Sequence, residues 1–450
     1  MIMRDDLNLK LLQDRTHVDS NREESPVFVQ IEISPDENTK IKQVDHHWCL
    51  SIDCSASMDG EKLENAKESA ISVVRRLSPS DLVSIVTFES EVEVKLNPTS
   101  ASDPNIENII RSINVGAATA LHGGISTAFQ LLRQASAANM ISRLEVFSDG
   151  EPNVMPYDDD DFVQLAQAIR SNGMTLDVFG IGDDYNGPLL MKLSECGGGK
   201  WEHVADTSDL TTIVNTQVTE MQNTVISNPQ LKIALMNGAE LAAAVIVKPT
   251  LQEINLQDIP TSAGTYTIGL KNLIKDQSQI IAMRIAVPPI EGENILFVDV
   301  GITEGNSEVA LATAKLSCSN DKELYNMEID PNPRILLSGS EATVLLRQGI
   351  DGDEAATKLA KTIIKNLDDP ETTKLMDDDA HATVINAKEI SGDIKPGMSE
   401  AEKKRVLHST TVIETKESNI TCPNCNSLIR PTAKFCVKCG KAINKNEVGK

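Results

Sequence analysis

Between residues 44 and 224, short apolar runs alternate with amphipathic helical stretches, and this alternation limits the fold more than any other feature of the chain. Trp48-Cys-Leu-Ser-Ile52 reads as a buried strand, and helix 60–77 follows with Leu63, Ala66, Ala70, Val73, Val74 and Leu77 on one stripe. Leu82–Phe88 is the next strand, turning through Glu89-Ser90 into Val92–Leu96. A short helix near 105–113 and a helix from Leu121 to Met140 come next. Strand 143–148, helix 159–171, strand 174–181, helix 187–196, strand 200–204 and helix 208–224 complete the series. Parallel neighbours need crossovers of about this length, so the pattern predicts an α/β domain with a mostly parallel, six-stranded sheet covered on both faces.

The flanks are patterned differently. In Pro26-Val-Phe-Val-Gln-Ile-Glu-Ile-Ser34, Val27, Val29, Ile31 and Ile33 fall on one face while Gln30 and Glu32 fall on the other, the alternation of a half-buried strand. After Asn228, Leu231–Met236, Ala243–Val247, Thr265–Leu270, Ile280–Val287, Ile295–Val300 and Val309–Ser317 are short strands separated by turn formers, which suits a small β-sandwich. The N-terminal strand has no place in the α/β region. It is expected to pair into the sandwich, leaving the α/β domain inserted within one β-domain. From Ser338 helices return: Ser338-Gly-Ser-Glu341 and Ser399-Glu-Ala-Glu402 have capping-box spacing, and Leu359, Ile363 and Leu367 form a stripe. The expected division is 1–43 N-terminal strands, 44–226 α/β domain, 227–335 sandwich, 336–417 helical segment and 418–450 a small terminal module.

Charge excludes some roles. With 66 Asp+Glu against 42 Lys+Arg the net charge is -24, which repels nucleic acid and anionic membranes alike. No stretch approaches the roughly 18 apolar residues of a membrane span, and the first residues lack the apolar core of a secretory signal. Four cysteines fall in two C-x-x-C pairs, while Cys49, Cys54, Cys196 and Cys318 are scattered. That usage fits a reducing cytoplasm rather than a secreted disulfide scaffold.

Asp53-Cys-Ser55-Ala-Ser57 follows a predicted parallel strand and precedes a helix, at the sheet edge where open α/β folds bind ligands. An extended loop turns residues i, i+2 and i+4 the same way, which converges three oxygens of a kind that suits Mg²⁺ or Mn²⁺. Alone, such an Asp/Ser cluster is more often a helix N-cap. Two further loops belong at the same edge: Gly116-Ala-Ala-Thr119-Ala-Leu-His-Gly-Gly124 brings a hydroxyl, and Phe147-Ser-Asp149-Gly-Glu-Pro-Asn153 brings a carboxylate. This order and spacing resemble the von Willebrand factor type A family and its metal-ion-dependent adhesion site, over roughly residues 44–224. The resemblance implies Ser55, Ser57 and Thr119 as hydroxyl ligands of Mg²⁺ or Mn²⁺, Asp53 and Asp149 acting directly or through water, and a partner protein's Glu or Asp completing the shell. Ala56 stands where the family usually has Gly, and a positive φ there would strain the loop.

Enzymatic patterns are missing from this region. There is no G-x-x-x-x-G-K-[ST], and Gly180-Ile-Gly182-Asp-Asp-Tyr185 lacks the third glycine of a dinucleotide fingerprint. His122 either lines the site or packs in its loop, with no nucleophile paired to it. Asp158–Asp161 and Asp377–Asp379 read as helix N-termini or as further cation sites. No catalytic residue is expected.

Near the C-terminus, Cys422-Pro-Asn-Cys425 and Cys436-Val-Lys-Cys439 form C-x₂-C-x₁₀-C-x₂-C, two knuckles that close a tetrahedral Cys₄ shell on Zn²⁺; a redox pair is the competing reading. The closed shell leaves no position for substrate, so its role is structural. Leu428 and Phe435 are among the few sizeable apolar anchors between the cysteine pairs, so folding of the module should depend on metal. The segment resembles short zinc ribbons, with Asn426 where Gly is usual. Six Lys/Arg against Glu447 make residues 420–450 locally basic.

The combined expectation is a non-enzymatic, intracellular interaction protein that binds a partner's carboxylate through a divalent site. One alternative is a regulatory subunit of an AAA+ ATPase or of a kinase or phosphatase system, beside which members of the family often work. Another is nucleic-acid contact through the basic ribbon. No membrane partner is expected.

Overall fold

The computed structural model describes residues 6–413 except 37, 38, 40, 42, 43, 137–139, 150, 151, 155, 156, 263, 306 and 396, and then the backbone of 420, 421, 428 and 429. The chain opens with β1 (Leu7–Gln13), β2 (His17–Asp19) and β3 (Ser25–Pro35). Val27, Val29, Ile31 and Ile33 of β3 are fully buried, as their alternation dictates. Gln30 on the opposite face is buried as well, because a helix of the C-terminal segment covers that side.

The α/β domain follows with β4 (Asp45–Asp53), α1 (Glu61–Arg76), β5 (Leu82–Phe88), β6 (Val92–Ser100), α2 (Ile106–Arg111) and α3 (Leu121–Gln134). It continues through β7 (Met140–Ser148), α4 (Asp159–Ser171), β8 (Met174–Ile181), α5 (Gly187–Cys196), β9 (Gly198–Val204) and α6 (Leu210–Gln222). The six-stranded sheet has the order β6-β5-β4-β7-β8-β9, parallel except for the β5–β6 hairpin. Successive residues of β4 feed opposite cores. Trp48, Leu50 and Ile52 pack with Phe147 and Phe179 against α1 and α6, whereas Cys49 joins Leu144, Val146 and Val178 beneath α3, α4 and α5. Each large side chain removed from water in this way contributes ~1.5–3 kcal/mol. The third helix stops at Gln134 rather than reaching Met140, because Met140, Ile141 and Ser142 pair with Asp45, His46 and His47 and so begin β7.

Beyond the α/β domain come β10 (Thr224–Ile226), β11 (Gln230–Leu235), β12 (Glu240–Lys248), β13 (Gln252–Glu253), β14 (Thr261–Ser262) and β15 (Thr265–Gly269). The strands β16 (Leu273–Ile274), β17 (Gln279–Val287), β18 (Ile295–Glu304) and β19 (Ser307–Ser319) complete the sandwich. One sheet runs β1-β3-β17-β12-β13 and the other β14-β15-β11-β18-β19-β2, so N-terminal strands enter both. Ile31 pairs with Ile281 and Val29 with Met283 across β3 and β17.

The last segment holds α7 (Lys322–Tyr325), α8 (Asn332–Ile350), α9 (Glu354–Leu367), α10 (Pro370–Thr373), α11 (Asp378–Asp393) and α12 (Glu400–Ser409). Ser399 and Glu402 form the expected capping box. Ser338–Glu341 do not: they lie inside α8, which starts at Asn332 with Pro333 in its first turn, where a proline costs no hydrogen bond. The stripe on α9 is also rotated from expectation, since Ala356, Ala360, Ile364 and Leu367 are buried while Leu359 is 53% exposed. Arg347 of α8 joins the three units: it pairs with Glu195 at 3.3 Å, donates to Leu251 O at 2.8 Å and donates to Thr410 Oγ1 at 2.8 Å. Among the described residues no helix is long and apolar enough to cross a membrane.

Candidate metal centre

The strand order places a reversal between β4 and β7, since the chain moves outward to β5 and β6 and then crosses back. Crevices at such switch points lie outside the carboxyl ends of the strands. Asp53 ends β4 there and Asp149 follows β7, and both are fully buried. Asp53 is held on two sides: Ser148 Oγ donates to its Oδ2 at 2.6 Å and the Ser55 amide to its Oδ1 at 2.8 Å. Burial drives its pKa up to about 6 against the pull of those hydrogen bonds, and the charge of Asp149 pushes in the same direction.

A 3-10 turn, Ala56–Met58, then carries the chain round. Ser55 Oγ lies 3.1 Å from Ser57 Oγ, and Ser57 Oγ donates to Asp149 Oδ1 at 2.8 Å. The other oxygen of Asp149 is ion-paired with Lys62 from the first turn of α1. Ala56 is not among the residues with positive φ; the left-handed position of this loop is Gly60, at φ 85°. The strain expected of an alanine at that place is therefore absent.

Thr119 is buried and reaches the same edge through backbone ties. Ala56 N donates to Ala117 O at 3.3 Å, Gly116 N to Cys54 O at 2.6 Å, and Thr119 N to Asn153 Oδ1 at 2.8 Å. Gly116 is required because a Cβ there would meet Glu89 at 2.5 Å. Asp53, Ser55, Ser57 and Asp149 are thus joined by a chain of contacts, with the Thr119 loop pinned against them. The donor set is all oxygen, and the two buried carboxylates face a single cationic side chain. A small hard cation fits such a set better than a thiol- or imidazole-seeking metal.

Ser148, Asn153 and Lys62 support the crevice from outside the spacing pattern of the Asp, Ser and Thr side chains. Ser148 and Asn153 lie in the same segment as Asp149, and Lys62 lies in the first turn behind the loop, but short spacing alone does not assign their partners. His122 packs rather than lines the crevice: its ring stacks on Tyr157 at 3.6 Å and meets the edge of Phe162 at 5.3 Å. Asp158 and Asp161 form the capping box of α4, and Asp377 caps α11 by accepting from Ala380 N at 2.8 Å. Among the described residues no group of three or more His, Cys, Asp or Glu side chains is placed to hold a metal.

Cys422, Cys425, Cys436 and Cys439 lie outside the described residues. The described backbone nearby pairs Ile420–Thr421 antiparallel with Leu428–Ile429. Cys49, Cys54, Cys196 and Cys318 are free thiols.

Residues 49–217 match the family model of the von Willebrand factor type A domain, and residues 421–443 that of a zinc-ribbon domain. An uncharacterized protein of Synechocystis sp. is 24% identical over 63% of this chain and 66% of its own length. The uncharacterized protein YfbK of Escherichia coli is 26% identical over 40% of this chain and 32% of its own. The chain therefore spans less than two thirds of these curated relatives. A von Willebrand factor type A structure from Catenulispora acidiphila covers 90% of this chain and 97% of its own, with a TM-score of 0.72 and 16% identity, and shares its fold.

Proposed function

We propose that this chain, which carries a von Willebrand factor type A domain and a C-terminal zinc ribbon, captures a partner protein through a divalent cation at the β4–β7 crevice and is not an enzyme. Type A domains are in general protein-interaction modules. The observation that carries the reading is the pair of buried carboxylates, Asp53 and Asp149, set among serine hydroxyls with Lys62 as their only cation among the described residues.

Ser55, Ser57 and Thr119 would hold Mg²⁺ or Mn²⁺ by their hydroxyls, with Asp53 and Asp149 acting directly or through water. The ion would supply an electrophilic position for a partner's Asp or Glu carboxylate. This chain's own residues set the geometry. Ser148 and the Ser55 amide aim Asp53, Lys62 orients Asp149, and Asn153 fixes the loop of Thr119. The neighbouring imidazole of His122 is engaged with two aromatic rings. At the other end, the zinc-ribbon match implies Zn²⁺, and Cys422, Cys425, Cys436 and Cys439 would close a purely structural shell around it.

Water-proton relaxation with Mn²⁺ tests the first claim. Wild-type protein should enhance relaxation and Asp53→Ala should not, with far-UV circular dichroism unchanged. Equal enhancement by both proteins would remove the metal centre. A pull-down in millimolar Mg²⁺ should then recover proteins with wild type that Asp53→Ala fails to capture.

A further inference from the structure

A trough of about 890 Å³ opens in the helical segment, between the end of α8, the outer side of α9 and the chain joining α11 to α12. Its wall is cationic. Lys358, Lys361 and Lys365 follow one another at i, i+3 and i+7 on α9, and Lys395 and Lys403 line it from the α11–α12 side. The apolar lining is Ile350, which is buried, with Ile394 and Met398 half-buried. Gly352 and Gly397 stand at the lining with open space where a Cβ would be, so the trough is not filled by its own rim.

Two observations set this wall apart from an ordinary solvated lysine face. The chain carries a net charge of -24, and several of its surface lysines find acids: Lys10 with Glu32, Lys95 with Glu93, Lys374 with Glu371 and Lys388 with Asp368. At the trough, Lys403 pairs with Glu400 at 2.7 Å and Lys395 acts on Glu402, but the ammonium groups of Lys358, Lys361 and Lys365 have no ion-pair or hydrogen-bond partner among the described residues. Five lysines line it against two acids, Asp351 and Glu354. Secondly, Lys361 and Lys365 are i, i+4 neighbours of like charge, and Lys358 and Lys361 are i, i+3. Such pairs weaken a helix unless something anionic lies between them.

The volume falls within the range of about 300–1,000 Å³ typical of small-molecule sites. Among the described residues no arginine lines the trough, so its cations are ammonium point charges, a mode in which lysine serves phosphate. At 1.5 Å rise per residue, Lys358 and Lys365 are separated by about 10 Å along α9, the reach of a short phosphate chain rather than of one anion. We propose that this trough binds a small organic phosphate ester with two or more phosphate groups, its apolar body on Ile350, Ile394 and Met398 and its phosphates along the α9 lysines.

Isothermal titration of the full-length protein in EDTA-free, divalent-free buffer tests the assignment, with ATP as the amphiphilic probe, inorganic tripolyphosphate as the anion alone and a tetraglutamate peptide as a carboxylate chain. ATP should bind, tripolyphosphate should compete with it more weakly, and tetraglutamate should fail. Lys361→Glu combined with Lys365→Glu should weaken ATP by at least roughly tenfold while leaving circular dichroism unchanged, and raising salt from about 50 to about 200 mM should weaken it in wild type. Absence of ATP binding, binding untouched by the charge reversal, or tetraglutamate binding as tightly as ATP would each overturn the proposal. Tripolyphosphate binding as tightly as ATP would also overturn it, by removing any role for the apolar lining. Asp53→Ala should bind ATP as wild type does; loss of binding in that variant would move the ligand to the metal centre.

Discussion

Where β7 and β8 begin, against the sandwich, Arg143 pairs with buried Asp177 at 2.9 Å, the Lys200 amide donates to the other oxygen of Asp177, and Lys200 Nζ pairs with Glu220 at 2.7 Å. Lys271 reaches in from the sandwich to donate to Gly199 O, and Arg170 reaches out to Gly269 O. Where β4 and β7 end, at the opposite edge of the same sheet, Asp53 and Asp149 meet Lys62 alone among the cations of the described residues. Both clusters are desolvated, and each shifts its groups accordingly: Lys271 falls to about 7 and Asp53 rises to about 6, chiefly by burial. The difference is that the first cluster finds its counter-charges inside the chain, because a second domain covers it. The second lies under open loops and retains a surplus of negative charge. A buried charge is structural where a neighbour completes it and available for chemistry where none does.

Five expectations bear on this contrast. The largest effect should come from Arg143→Met, which removes the ion-pair partner of buried Asp177. Removing one member of a buried pair costs about 3–5 kcal/mol, read as a drop in the urea midpoint. A midpoint unchanged by this variant would break the contrast outright.

Next is Lys271. Its folded pKa lies below the unfolded value of 10.5, at about 7, so the unfolded chain binds the extra proton between those limits and stability should rise with pH across that window. In Lys271→Met the rise should flatten, and comparing urea midpoints near pH 7 and near pH 10 checks the sign. If wild type instead weakens over that window, Lys271 is not the desolvated cation described.

At the other edge the effects on stability should be smaller. Asp53→Asn, in the absence of divalent ions, should shift the midpoint by no more than about 1 kcal/mol, because it removes one of two like charges while keeping an acceptor for Ser148. Lys62→Met should strengthen Mn²⁺ binding a few-fold, since Asp149 then keeps its full charge. Weaker binding would mean that Lys62 matters by holding Asp149 in place. The smallest effect belongs to the terminus: Cys425→Ser should release zinc on dialysis while the main unfolding transition stays where it was.

Much of the architecture was legible from local pattern. The strand–helix alternation over 44–224 and the period-2 run from Val27 to Ile33 each report which face of an element must leave water, and that is a property of neighbouring residues. Local pattern misled where a distant partner set the outcome. Leu359 belongs to an apolar stripe yet is exposed, because the small residues Ala356 and Ala360 are what allow α9 to pack closely. Ser338 and Glu341 have the spacing of a cap yet lie mid-helix, where Gly339 admits α11 so closely that a Cβ would meet Thr383 at 2.9 Å. Within the crevice, spacing marked Asp53, Ser55, Ser57, Thr119 and Asp149, and the structure joins four of them by direct contacts and draws in the Thr119 loop. Lys62, Ser148 and Asn153 carried no pattern of their own.

The sequence by itself determined the order of elements, the face each one buries and the residue types held at the sheet edge, because hydrophobic periodicity and loop composition act over a few residues. Only the tertiary structure decided which charges are neutralised. Arg143 and Asp177 stand on neighbouring strands, Lys271 and Gly199 in different domains, and Lys62 and Asp149 on a helix and a distant loop. Electrostatic balance depends on distance in space and on what excludes water, and neither quantity is written in the spacing of residues along a chain.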